Sequence, residues 1–415
     1  MLSARVFDSG FARSHDTYNG ISTASDGCVY YVLCSQVIDA AGQLCSFDPS
    51  TEKIRRLADL SEACGESKSV PQGKSHVSFV ESGGKLYFAT HIGYYSIVDG
   101  RETSGIPAAG FAPYPGGHFL SVDLATGRTE DLATAPDREG VLTFTMDAAR
   151  GILYAILWPS GRFVRMDLAT RRLQDFGPVS LDGEGGRGER YRTLCRSIAV
   201  DPRDGRAYFT VSEGAIHYYD PATGSLARVE GDDLRKDYFG LHDVSSPGHM
   251  AYNWRQTFWH PEEDVIYGIH GNSGYLFRFD PRSERVEVLD RLTSEPSKRS
   301  GMFDQFSYGY LGFALGPNLR TVYYLTGGPI YVDGKRVKGK ASTAKGEAKG
   351  EENLHLVTYD IPGGQVRDHG PVFYADGTRP AYVNSIAVGK DGTVYTLARI
   401  PARGKETVDL IAIRP

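Results

Sequence analysis

Residues 75–96 read SHVSFVESGGKLYFATHIGYYS, and residues 114–127 read YPGGHFLSVDLATG. Two short apolar segments with period-2 patterning flank the tight turn ESGG, which reads as a β-hairpin. A third segment starts at His118 and runs into the Asp turn DLATG. The unit is therefore strand, turn, strand, a long Gly/Pro-rich excursion, strand and turn. It places His76, His91 and His118 at strand ends.

The same grammar recurs along the chain. A turn followed by a run centred on tyrosine appears at Tyr30, Tyr87, Tyr154, Tyr208, Tyr267, Tyr323 and Tyr395, at intervals of 54 to 72 residues. Most copies continue into an apolar strand that ends in an Asp turn, such as SFDPSTEK, RMDLATRR or RFDPRSER. An apolar segment also precedes each tyrosine, which makes four strands per unit. Repeated four-stranded units predict an all-β, seven-bladed β-propeller of antiparallel blades, because a ring leaves only short, protected sheet edges. The last copy supplies three strands, and residues 5–9 are expected to complete it and clasp the ring. Residues 1–415 then form one domain. Two stacked β-sandwiches are the structural alternative.

Composition narrows the partners. The 415-residue chain has a net charge of −5 and a pI near 6.1, so electrostatics supply no case for nucleic acid or an anionic membrane. It has no apolar run of 18 residues and no apolar core of a signal peptide near residue 1. The expectation is a cytoplasmic protein, or a periplasmic or secreted one whose leader has been removed. The five cysteines lack any CxxC spacing and read as free thiols.

In a propeller, turns after first and third strands share one face, and turns after second and fourth strands share the other. The first class is short here, as in ESGG and DPRDG. The second holds the insertions 93–117, 179–192, 231–252, 292–307 and 328–353. Binding and catalysis concentrate on long loops over a rigid scaffold. The Lys-rich 332–353 reads as a flap or as a lid over an acidic ligand. The rim of that face should gather His76, His91, His118, His270, Arg196, Arg255, Asn253, Asn272 and several tyrosines. His91, ending its strand where an insertion begins, is expected to be partly exposed.

Three readings of the histidines stay open. His76, His91 and His118 could hold a divalent metal: zinc, manganese or calcium. One or two could move protons near neutral pH. They could also be hydrogen-bonded rim residues without chemistry. Arg196 and Arg255, inside apolar strands, either pair with a neighbouring acid or grip a ligand carboxylate. Tyr94, Tyr95, Tyr191, Tyr252, Tyr308 and Trp158 either stack on sugar rings or pack beneath loops. No GxSxG, P-loop or Rossmann fingerprint is present.

A ring of Tyr-centred blades with His, Tyr and Arg on one rim resembles the β-propeller polysaccharide lyases, including the ulvan and oligogalacturonate lyase families. It is similar also to propeller enzymes that act on rhamnose linked to glucuronate. The resemblance implies a lyase that cleaves an acidic, uronate-containing oligosaccharide or polysaccharide by β-elimination. It carries over His76 and His91 as base or neutralising pair, Tyr252 as acid/base and Arg255 as carboxylate clamp. Tyr94, Arg196, Asn253, His270, Asn272 and Tyr308 are the expected substrate contacts. A glycoside hydrolase using the same histidines and a non-enzymatic glycan- or protein-binding propeller are the alternatives.

Overall fold

A computed structural model describes residues 2–15, 18–99, 101–299, 311–337, 352–401 and 407–415. Among these the chain folds into five four-stranded antiparallel sheets, one eight-stranded sheet and two small hairpins. Each repeat tyrosine lies on the second strand of its unit, from Val29–Leu33 around Tyr30 to Val394–Ile400 around Tyr395. The phenol often reaches back to its own turn: Tyr30 donates to Asp26 at 2.8 Å and Tyr267 to Glu263 at 2.7 Å.

Burial follows strand position. The second strand Ile152–Trp158 is buried along its whole length, because neighbouring sheets cover both of its faces. The fourth strand Arg172–Pro178 is mostly exposed or half-buried, and its sequence RLQDFGP is correspondingly polar. The Asp turns are built from the aspartate itself. Asp123 accepts from Thr126 N and Oγ1, both at 2.8 Å, while Gly127 takes the left-handed conformation at φ 72°. An Asx turn of this kind needs the short acceptor and the glycine at that spacing.

The eight-stranded sheet is two units joined edge to edge. Gly312–Leu315, Thr321–Pro329, Glu352–Asp360 and Gln365–Tyr374 form one half. Ala387–Val388, Val394–Ile400, Thr407–Ile413 and the N-terminal strand Leu2–Val6 form the other. Leu2–Val6 lies slightly earlier than residues 5–9. It pairs antiparallel with Thr407–Ile413 and parallel with Gln365–Tyr374. From the third unit to the last, first strands of successive units are neighbours, and Ile21–Thr23 meets Ala387–Val388, where Thr23 Oγ1 donates to Val388 O at 3.1 Å.

The long connections add structure over one end of the sheets. Residues 93–117 carry a hairpin, Tyr95–Val98 with Arg101–Ser104. Residues 179–192 form two turns of 3-10 helix. No helix among the described residues is long and apolar enough to cross a membrane. Of the Lys-rich segment, 338–351 lies outside the described residues, as does Tyr308.

Candidate functional site

The site grows from one pair of neighbouring backbones. Lys74 and His91 exchange both backbone hydrogen bonds, at 3.0 and 2.8 Å, as an isolated antiparallel bridge. Gly73 and Gly93 make that approach possible, since a Cβ on Gly73 would lie 2.5 Å from Gly93 Cα. The bridge sets His91 beside His76, with ring centroids 4.4 Å apart.

A cavity of about 360 Å³ opens around this pair, within the usual size range for a small-molecule site. Its wall includes Tyr18, Tyr95, Trp158, Tyr191 and Tyr382, with Lys74, Arg196, Arg255 and Arg399 as cations and Glu102 and Glu184 as carboxylates. Tyr18 stacks on His76 at 3.9 Å, and Trp158 meets His91 edge-on at 5.5 Å. Lys74 is buried; its Nζ donates to Tyr18 Oη at 2.7 Å and lies over the rings of Tyr18 and Tyr95. Arg196 pairs with Glu184 at 2.6 Å, and Trp158 Nε1 donates to the same carboxylate at 3.2 Å. A smaller cavity of about 130 Å³ shares His76 and Arg196 and continues between the first strands. Across it, Gln256 Nε2 donates to Asn19 Oδ1 at 2.6 Å, which links two sheets far apart in sequence.

Electrostatics fix the state of the histidine pair. Burial pushes His91 well below its ordinary pKa, with Lys74 and Arg196 adding to the shift. Burial likewise lowers His76, helped by His91, Lys74, Arg196 and Arg255. Both rings are neutral at pH 7, and burial and the neighbouring cations oppose their protonation. His76 Nε2 and His91 Nδ1 have no hydrogen-bond partner among the described residues.

Several sequence expectations need correction. His91 is not partly exposed but 1% accessible, because Tyr95, Trp158 and Gly140 crowd its ring. His118 does not join His76 and His91: its Nδ1 meets Asp131 at 2.9 Å and its Nε2 meets Glu66 at 2.8 Å, away from the cavity wall. The expected set of three histidines therefore does not assemble. Tyr252 is buried, its Oη accepting from His242 N at 3.1 Å, and it does not line the cavity. Asn253 spends its amide on Thr193 O, Met250 O and Thr210 Oγ1. Asn272 clamps Met250 N and Ala251 O. His270 bonds Ser273 Oγ at 2.7 Å and stacks on Phe239. Tyr94 packs at the core edge. Of the expected site residues, His76, His91, Arg196 and Arg255 share the wall, together with the aromatic rings of Tyr95, Trp158 and Tyr191.

Lys74, Glu102, Glu184 and Arg399 were not expected there. Lys74 had a readable signal, a lysine two residues before His76 in the segment that leads into a first strand. Glu184 sits in an irregular insertion, where no periodicity announces a direction.

No family model matches the chain, and no curated protein matches it either. Solved structures do. Virginiamycin B lyase from Staphylococcus aureus is 10% identical, with a TM-score of 0.55 over 100% of this chain and 99% of that one. The extracellular domain of a two-component system from B. thetaiotaomicron is 12% identical, with a TM-score of 0.52, and this chain spans 40% of that chain. A chain of the mitotic checkpoint complex is 13% identical, with a TM-score of 0.50 over 99% of this chain and 91% of that one. At such identities the likeness speaks for architecture alone, and the architecture is a β-propeller.

Proposed function

We propose that the chain is a seven-bladed ring, clasped by Leu2–Val6, whose cavity cleaves a uronate-containing saccharide by β-elimination. The observation that carries this reading is the pair of neutral imidazoles, His76 and His91, in one cavity with Lys74, Arg196, Arg255 and Arg399. Elimination requires removal of a proton α to a carboxylate. Cations beside that carboxylate stabilise the charge that develops, and a neutral imidazole takes the proton.

In this reading Arg255 grips the substrate carboxylate in a two-pronged fashion. His76 or His91 takes the α-proton. The electron pair left on that carbon forms the double bond, and the carbon–oxygen bond to the neighbouring sugar breaks. Tyr18 gives its proton to the leaving oxygen. Its Oη already accepts from Lys74, so the phenol hydrogen can point toward another acceptor, and the ammonium stabilises the resulting phenolate. This assignment moves the acid from Tyr252 to Tyr18. The side-chain cations take the role a metal would otherwise fill. The partner is an acidic oligosaccharide or polysaccharide.

The test is a panel of uronate-containing glycans read by the ultraviolet absorbance of the unsaturated product. The expected result is absorbance with the wild type and none with His91→Ala. New reducing ends without absorbance would make the protein a hydrolase. No turnover across the panel, with saccharide binding retained, would make it a glycan-binding propeller.

A further inference from the structure

We infer that Cys64, Glu66 and His118 form a zinc-binding site, distinct from the cavity. It would tie the connection between the first and second sheets to the strand His118–Asp123. A thiol sulfur, a carboxylate oxygen and a ring nitrogen from these residues lie within 4.8 Å of one another. The inference is independent of the proposed lyase chemistry.

The three donors sit on well-fixed backbone. Cys64 and Glu66 flank Gly65, which takes φ 69° in the turn that ends the short helix Leu60–Ala63. Cys64 N donates to Leu60 O and Ser61 O at 3.2 Å, and Glu66 N donates to Ser61 O at 2.9 Å. Gln72 Nε2 reaches both oxygens of the Glu66 carboxylate, at 3.0 and 3.3 Å. Gln72 is itself held by Thr90 Oγ1 and Tyr114 Oη, which donate to its Oε1 at 2.7 and 2.9 Å. The Glu66 and His118 side chains are only 10% and 5% exposed.

The second independent feature is what holds His118. Asp131 meets Nδ1 at 2.9 Å, so Nε2 is turned toward Glu66 and Cys64. A histidine that binds metal through one nitrogen nearly always gives its other N–H to a carboxylate or carbonyl in this way. A thiolate, an imidazole and a carboxylate suit zinc, whereas magnesium and calcium prefer oxygen alone. The carboxylates of Glu66 and Asp131 also favour a cation, in contrast to the basic surroundings of His76 and His91. On binding, zinc takes the place of the thiol proton and of the proton between His118 Nε2 and Glu66. Both protons pass to solvent, and a water completes four-coordination.

The competing arrangement is a metal-free ion triad of Glu66, His118 and Asp131. To separate the two, full-length protein is stripped with chelator, dialysed and titrated with zinc chloride by calorimetry. In parallel, cobalt(II) chloride is added and the near-ultraviolet thiolate-to-cobalt band is recorded. One metal per chain is expected, with that band present and a higher Tm. Cys64→Ser should lose the band. Asp131→Asn, which leaves all three donors in place, should bind zinc about 10–100-fold more weakly. Circular dichroism establishes that each variant is folded. Folded wild type that takes up no metal overturns the inference, and so does a cobalt band that survives in Cys64→Ser.

Discussion

Gly140 and His91 are fitted to each other: a methyl group on Gly140 would come within 2.1 Å of His91 Nδ1. Gly140 opens the first strand of the third sheet and pairs with Trp158, which itself packs edge-on against the His91 ring. The imidazole is thus wedged between its own sheet and the next, and its direction is set by the absence of a side chain at one position. Gly140→Ala should displace that ring while removing no polar group from the cavity. Overpacking of this kind costs about 1–3 kcal/mol. The expected outcome is a lower Tm together with a loss of turnover larger than the loss of saccharide binding. A variant as active as the wild type would show that the position of His91 is unimportant to the reaction.

Arg255 lies on the first strand of the fifth sheet, is 8% exposed and lines the cavity. Arg255→Ala should weaken binding of an acidic saccharide by tenfold or more and spare a neutral one of the same length. Arg255→Lys should restore little, because an ammonium cannot make the two-pronged contact. Calorimetry with a matched pair of saccharides, with and without the carboxylate, reads the difference. Equal losses on both would remove the uronate from the proposal.

How much of this was legible in the sequence depends on what set each side chain's direction. Period-2 patterning and turn chemistry placed the strands, since an apolar alternation between Gly and Asp turns has few other solutions. Arg255 was found because it sits on a regular strand, and His76, His91 and Arg196 because each lies a few residues outside one, close enough for strand order to fix the face. His118 begins a regular strand too, yet the carboxylates of Asp131 and Glu66 draw its ring to a different place. Asn253 and Asn272 looked like rim donors, but their amides are taken up by backbone groups of Thr193, Met250 and Ala251. Tyr252 ends an insertion, and whether such a ring faces ligand or core is decided by packing far away in sequence. Glu184 is recognisable only through its partners Arg196 and Trp158.

Tyr18 and Lys74 form the most testable pair in the cavity. Tyr18→Phe keeps the ring stacked on His76 and the cation above it but removes the oxygen that Lys74 bonds at 2.7 Å. If Tyr18 protonates the leaving oxygen, kcat should fall by about 100-fold or more, as for loss of a general acid, with KM little changed. A saccharide carrying a leaving group that needs no proton should recover most of the rate. Recovery is the decisive reading, because a merely structural tyrosine would slow both substrates alike.

The buried histidines set a pH dependence of stability whose sign can be worked out. Burial holds His270 down to about 3, with His242 as the nearby titrating neighbour. His91 is depressed as well, by burial and then by Lys74 and Arg196. In the unfolded chain each titrates near 6.5. Below that pH the unfolded state binds protons that the folded state refuses, so stability is fully present above about 6.5 and is lost as pH falls toward the folded value. From pH 7 to pH 5 each such histidine should withdraw about 2 kcal/mol. Denaturant unfolding at the two pH values, in wild type and in His270→Gln, isolates one contribution. The variant starts less stable, because the packing against Phe239 and the bond to Ser273 are lost. Its decline between pH 7 and pH 5 should nevertheless be smaller by about 2 kcal/mol. An unchanged decline would mean that His270 takes up a proton in the folded state, and that its pocket admits water as readily as the unfolded chain does.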